Sequence, residues 1–165
     1  MGHDAVEIDF VMPWVDGSDP AWREEFLKYR ALQAPQGEPA CDTGMAAGAV
    51  DASEERYRDW DTLRYWFRGV ERFAPWVNRI HFITWGHLPA WLDTAHPKLH
   101  VVRHADYIPS PYLPTFNSCP IELNMHRIEG LAEHFVYFND DTFLCRPVGP
   151  ERFFLNGLPR DDARL

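Results

Sequence analysis

Apolar runs alternate with segments of helical period along most of the chain. Residues 6–15, VEIDFVMPWV, predict a first strand. Its pairing should weaken at Pro13, which has no N–H to give to a ladder. The turn DGSD follows. Asp19 with Pro20 is the pairing of N-cap and first-turn proline that starts a helix, and that helix is predicted to reach Tyr29 or Leu32, with Trp22, Phe26 and Tyr29 on one face. Positions 34–52 are rich in Pro, Gly and Ala and read as a flexible insertion, because ordered periodicity resumes after them. Tyr57, Trp60, Leu63, Phe67 and Val70 then recur at helical spacing, predicting a second helix over about 53–73 that stops before Pro75.

Short apolar strands are predicted at 79–85 and near 99–104, separated by a stretch, LPAWLD, that supports a brief helical turn at most. A polar, Pro-rich loop covers about 104–118. A third helix is expected next, capped by Ser118 or Cys119, with Pro120 near its start and Glu122 in its first turn. The last predicted strand, 134–138, ends directly at Asn139, Asp140 and Asp141. Strands alternating with helices indicate an α/β fold with a mostly parallel sheet flanked by helices. At 165 residues the chain reads as one domain spanning 1–165. Ligands of open α/β sheets collect beyond the carboxyl ends of the strands, which is where WVDGSD and NDD both fall.

Composition narrows the function. Acids outnumber bases 25 to 16, a formal charge of −9, and there is no basic run, so nucleic acid is excluded as the expected partner. Cys41, Cys119 and Cys145 are an odd, widely spaced set, which fits neither a disulfide framework nor a zinc site. No apolar run approaches the roughly 20 residues of a membrane span. The N-terminus also lacks a signal-peptide pattern. The expected location is therefore cytoplasmic, with any attachment to the inner membrane face made through partners or substrate.

Three constellations could carry chemistry. Asp140 and Asp141, adjacent at a strand end, would repel each other. A hard divalent cation relieves that repulsion and takes one or two carboxylates plus substrate phosphates; an Asx turn that merely ends the strand accounts for the same residues. Glu122 and His126 lie four apart, on one face of a helix, and could together handle a hydroxyl proton. The alternative is a carboxylate placed near a helix start by the macrodipole. The turn WVDGSD could offer backbone amides to an anion, with Trp14 stacking on a base, or could be an ordinary capped turn. The eight His have no metal-ligand spacing among them.

Taken together, the segments resemble the Stealth family of sugar-1-phosphate transferases. The resemblance rests on IDFVMPWVDGSDPAW and on an ordered block containing LRYWFRGVERFAPWVNRIHFITWGHLPAWL, HPKLHVVRHADYI and LPTFNSCPIELNMHRIEGLAEHFVYFNDDTFL. It implies a nucleotide-sugar-transferase architecture, GT-A or Rossmann-like and here incomplete. It also implies a reaction: a glycan hydroxyl attacks the sugar-bearing phosphorus of a UDP-sugar, typically a UDP-N-acetylhexosamine, and UMP leaves. Glu122 matches the acid of the family's FNS-x-x-IE segment and Asp141 the second Asp of NDD, both as catalytic residues, with His126 as a further candidate base. Asp140 and Asp141 are the expected ligands of magnesium or manganese. Trp14, Asp16, Gly17, Ser18, Asp19, Asn117 and Asn139 are the expected substrate-binding residues. Cys119 stands where relatives often carry His. Relatives also continue into two further blocks that add a His and an Arg near the phosphates. Here the cations expected nearby are Arg127 and Arg146, and the chain is expected to bind donor weakly by itself, as a fragment or as one part of an oligomer or split enzyme. Rival expectations are a metal-dependent glycosyltransferase that releases UDP, and a non-catalytic partner chain.

Overall fold

A computed structural model describes residues 6–33 and 57–160; the predicted insertion at 34–52, the first residues of the predicted second helix and Cys41 lie outside the described residues. Four parallel strands form the sheet: β1 (Ile8–Pro13), β2 (Ile80–Thr84), β3 (Leu99–Arg103) and β4 (His134–Tyr137), in the order β3-β2-β1-β4. Helix α1 (Pro20–Gln33) follows β1, and α2 (Leu63–Phe73) leads into β2. The short helices α3 (His104–Tyr107) and α4 (Ser118–Leu123) lie between β3 and β4. A hairpin, β5 (Phe154–Leu155) and β6 (Leu158–Pro159), closes the described chain. Its turn, Asn156–Gly157, has positive φ at both residues (54° and 78°), the combination a tight hairpin turn selects. The α/β expectation with a parallel sheet and flanking helices holds, the sheet having four strands.

Two helix boundaries differ from the sequence reading. Helix α2 begins at Leu63, and residues 58–62 are irregular. The reason is local competition. The Tyr57 ring packs on Trp22 (5.0 Å) and Phe26 (5.3 Å), and its carbonyl accepts the Gly17 N–H (2.8 Å), so Tyr57 is held by the start of α1. Helix α4 begins at Ser118 with Asn117 as its cap, Asn117 Oδ1 accepting the Cys119 N–H at 2.9 Å. Glu122 therefore lies in the last turn of α4, whose first turn holds no acid. For α1 the expected cap is present, with Asp19 Oδ1 accepting the Trp22 N–H at 2.8 Å.

Strand alternation divides the core between two faces. Phe10, Met12, Trp14, Ile80, Phe82 and Phe138 pack with Leu63, Trp66 and Val70 of α2. On the other face Val11, Ile83 and Val102 pack with Tyr107, Ile108, Met125 and Ile128. Pro13 acts asymmetrically. The Phe10 and Trp14 N–H groups donate to Arg79 and Ile83 carbonyls on the β2 side (both 2.9 Å), so pairing there runs past the proline. By the same alternation the donor-less nitrogen of Pro13 falls on the β4 side, where pairing has ended at Val11↔Tyr137 and the Phe138 N–H to Val11 carbonyl bond (2.9 Å). Beyond that point β1 and β4 are unpaired. Because the chain crosses from the β3 edge over to β4, this gap is also where the strand order reverses, the usual ligand position in such sheets.

At the opposite end of the strands Asp9, fully buried, gathers three donors: Asn78 Nδ2 (2.8 Å), the Ala132 N–H (2.9 Å) and His81 Nε2 (2.8 Å). Burial holds the His81 pKa below its ordinary value against the pull of Asp9. His81 is therefore neutral, giving its Nε2 hydrogen to Asp9 and accepting at Nδ1 from His100 Nδ1 (3.0 Å). Replacing Asp9 by Ala strands all three donors at about 1–3 kcal/mol each. The expected result is a loss of roughly 3 kcal/mol or more in urea unfolding, seen as a lower midpoint at an unchanged slope.

His104, 9% exposed, is pushed down to about 4, first by burial and then by the neighbouring His87. Its folded pKa lies below the unfolded value near 6.5, so the unfolded chain binds the extra proton. Stability is untouched above that pH and falls as acid carries the solution from 6.5 toward 4. A His104→Gln variant should lose about 2 kcal/mol less than wild type between pH 7 and pH 4.5, measured by urea unfolding at the two pH values.

Candidate active site

The gap between β1 and β4 opens into a cavity of about 420 Å³. Pro13, Trp14 and Val15 come to it from the end of β1, and Tyr137, Asn139, Asp140 and Asp141 from the end of β4. Helix α4 contributes Ser118, Ile121 and Glu122. One end of the cavity is aromatic: Trp22, Tyr57 and Phe116 line it, with Trp22 centroids 5.0 Å from Tyr57 and 5.5 Å from Phe116. The Tyr57 hydroxyl donates to the Phe116 carbonyl at 3.1 Å and fixes that corner.

The other end is acidic. Tyr137 places its hydroxyl between Glu122 Oε1 (3.1 Å) and Asn139 Oδ1 (2.8 Å), so one phenolic hydrogen is shared by two acceptors. Burial, then the charge of Glu122, holds that phenol protonated well above the usual tyrosine range. Asp140 keeps an exposed surface, yet its carboxyl is raised by partial withdrawal from water and next by the charge of Asp141, with Asp59 adding in the same direction against a backbone hydrogen bond. Glu122, Asp140 and Asp141 thus share a single cavity. Among the described residues no group of three His, Cys, Asp or Glu converges to hold a metal ion. Adjacent Asp140 and Asp141 offer a pair of carboxylates, with Glu122 and Asn139 as further oxygens in the same wall.

A smaller cavity of about 180 Å³ adjoins the first, with Trp14, Asp140 and Asp141 in both walls. Its remaining wall is the irregular stretch before α2, Arg58, Asp59, Trp60 and Thr62, together with Leu63. Four buried side-chain nitrogens among the described residues have no hydrogen-bond partner: Trp14 Nε1, in both walls, His104 Nδ1, in the larger cavity's wall, and Trp66 Nε1 and His87 Nδ1, in neither.

Several expected site residues sit behind the cavity. Asp16, Gly17, Ser18 and Asp19 are absent from its walls, and their amides are committed: Asp16 N–H to His87 Nε2 (2.8 Å), Gly17 to the Tyr57 carbonyl (2.8 Å), Ser18 to Asp16 Oδ1 (2.8 Å) and Asp19 to the Asp16 carbonyl (3.1 Å). The turn is therefore a bracket that carries Trp14 and Trp22, and its amides are not free for an anion. Gly17 is required by contact, since a Cβ there would lie 2.6 Å from both Cβ and the carbonyl oxygen of Tyr57. Asn117 caps α4 and supports Glu122 from outside the wall. His126 does not share a helical face with Glu122: α4 ends at Leu123, Met125–Arg127 form a 3₁₀ turn, and the exposed imidazole puts Nδ1 3.0 Å from the Leu123 carbonyl. Arg127 and Arg146 line neither cavity. Among the described residues, Arg58, which the chain brings in from before α2, is the cation in the wall shared with the acids. Tyr137, His104 and Arg58 escaped the sequence reading because only the fold sets them next to the acids.

The sequence matches two family models, Stealth protein CR1, conserved region 1, over residues 6–32 and Stealth protein CR2, conserved region 2, over residues 56–161. It is 54% identical over 153 residues to the capsular polysaccharide phosphotransferase WcwK of Streptococcus pneumoniae, covering 93% of this chain and 43% of that protein. It is 46% identical to the receptor polysaccharide phosphotransferase WefC of Streptococcus oralis, covering 96% of this chain and 45% of the relative. With the capsular polysaccharide phosphotransferase CpsJ of Streptococcus thermophilus the figures are 47% identity, 93% of this chain and 60% of the relative. The chain thus spans about half the length of these relatives. Among the described residues no helix is long and apolar enough to cross a membrane. With the second conserved region alone matching more than half of its length, this chain belongs to the Stealth family.

Proposed function

We propose that the cleft binds a UDP-linked N-acetylhexosamine and serves the transfer of its sugar-1-phosphate to a glycan hydroxyl in polysaccharide assembly. One observation carries this reading: Glu122 and the Asp140–Asp141 pair line the same cavity as an aromatic box, at the switch point of a parallel sheet. The names of the relatives, which are polysaccharide phosphotransferases, supply the reaction class.

The parts suit the task. Trp22, Tyr57 and Phe116, packed on one another, give the cavity an apolar end suited to a nucleobase. The acidic end cannot approach a diphosphate without compensation, and none of the described residues lining the larger cavity is a Lys or Arg. Asp140 and Asp141 would hold a hard cation of the kind that takes one or two carboxylates together with substrate phosphates. Such an ion, magnesium or manganese, supplies the positive charge for the phosphates when bound. The acceptor oxygen then forms a bond to the sugar-bearing phosphorus while the bond from that phosphorus to the UMP oxygen breaks. Glu122, exposed at the cavity wall and tethered by Tyr137, takes the acceptor proton. His126, outside the wall, has no such access.

Calorimetry tests the central step. UDP-N-acetylglucosamine with magnesium chloride should bind the wild-type chain, and chelation of the metal or the substitution Asp141→Asn should weaken that binding by about tenfold or more, the order expected for a lost charge-assisted ligand bond. Undiminished binding in Asp141→Asn removes Asp141 from the metal role. With an acceptor glycan added, UMP rather than UDP should accumulate; UDP as the product would assign the chain to glycosyl transfer.

A further inference from the structure

We propose that the smaller cavity is a pyranose subsite, holding one sugar ring of the reaction against the wall formed by Asp140 and Asp141. The proposal rests on the donor and acid roles assigned above and adds a place for a sugar. Size is the first argument. At about 180 Å³ the cavity is smaller than the roughly 300–1,000 Å³ of sites for larger ligands. It suits a single ring, whereas a nucleotide needs the neighbouring 420 Å³.

Charge is the second. Asp59, Asp140 and Asp141 face the cavity, with Arg58 as the guanidinium among its described lining residues. With Asp140 and Asp141 assigned to the dication, Asp59 and Arg58 balance each other, so the wall holds no surplus of cation to draw an anion. A neutral polyol is a good occupant, because its hydroxyls donate to carboxylates and accept from a guanidinium.

The aromatic walls are the third. Trp60 stands at the rim with 69% of its surface exposed, though Tyr57, three residues earlier, is buried. The Arg58 guanidinium sits 5.2 Å from the Trp60 ring centroid, which orients both side chains. An indole held open to water beside hydrogen-bonding groups matches the two sides of a pyranose, an apolar C–H face and a polar edge. Trp14, 7% exposed, is common to the walls of both cavities.

The ring could be the donor's own sugar or the terminal sugar of the acceptor, and the chemistry of recognition is the same. The test uses wild type, Trp60→Ala and a control, Tyr65→Ala, which truncates a ring of α2 that is 64% exposed and outside both cavities. Trp60 is exposed, so its removal leaves the core intact. UDP and UDP-N-acetylglucosamine are titrated by calorimetry with magnesium chloride. Binding of methyl β-galactoside and methyl N-acetyl-β-glucosaminide is read by saturation-transfer NMR. The expected result is that Trp60→Ala leaves UDP affinity unchanged and weakens a sugar-bearing probe at least fivefold, with Tyr65→Ala like wild type. A loss confined to UDP-N-acetylglucosamine places the donor's sugar in the cavity, and a loss confined to a methyl glycoside places the acceptor's. If every sugar-bearing probe binds Trp60→Ala as it binds wild type, or if wild type binds none, the subsite is overturned. Failure of UDP to bind wild type would count against the proposed function alone, and the glycoside arm would still decide the subsite.

Discussion

The cleft exists because β1 and β4 can pair only as far as Val11 and Tyr137. In a parallel sheet each strand gives its N–H groups alternately to its two neighbours. Trp14 donates to β2, and the position that would donate to β4 is occupied by Pro13. One strand edge therefore stays closed while the other parts. Everything chemical follows from that asymmetry. The β2 side keeps Trp14 locked over Phe82 (5.7 Å between centroids). The β4 side releases Asn139, Asp140 and Asp141 into open space. Asp9 does the reverse at the far end of the same strand, tying β1 to β2 and to the approach to β4 by side-chain hydrogen bonds. The sheet is thus pinned at one end and divided at the other.

The acidity of the site shapes what surrounds it. His104 in the cavity wall and His87 behind it are both held below the ordinary imidazole range by burial, so neither lends the acids a ready positive charge. The guanidinium at the acids belongs to Arg58, half-occupied with the face of Trp60. With Arg58 as the single Lys or Arg among the described lining residues, such a cleft is selective by default. It discourages anions that arrive without a cation, and it leaves neutral hydroxyl-rich surfaces as the occupants its walls can satisfy directly.

Much of this was legible in the chain. Local rules of period and capping located all four strands of the sheet and the start of α1, and the carboxyl-end rule put Trp14 and the NDD segment at one rim. What local rules could not supply was tertiary competition. Tyr57 has the spacing of a helical residue, yet the ring cluster of α1 and the Gly17 contact claim it, so α2 starts late. Glu122 and His126 have an i, i+4 spacing that means nothing once α4 stops at Leu123. The DGSD turn looked like an anion cradle because its internal partners, His87 and Tyr57, lie far away in sequence. Arg58 and Tyr137 became visible beside the acids only when the strands were assembled. The Asn156–Gly157 hairpin is a different case: its turn signal is local and was there to be read.

Tyr137 holds one hydrogen within reach of two oxygens, and its phenol resists ionisation. Rotation about a single C–O bond is enough to transfer that hydrogen's allegiance from Glu122 to Asn139. The carboxylate can then be freed, or tethered again, with no heavy atom displaced. Glu122 is in this sense held by a latch whose moving part is a proton, so the cost of rearrangement when a hydroxyl arrives is confined to the lightest atom in the cleft.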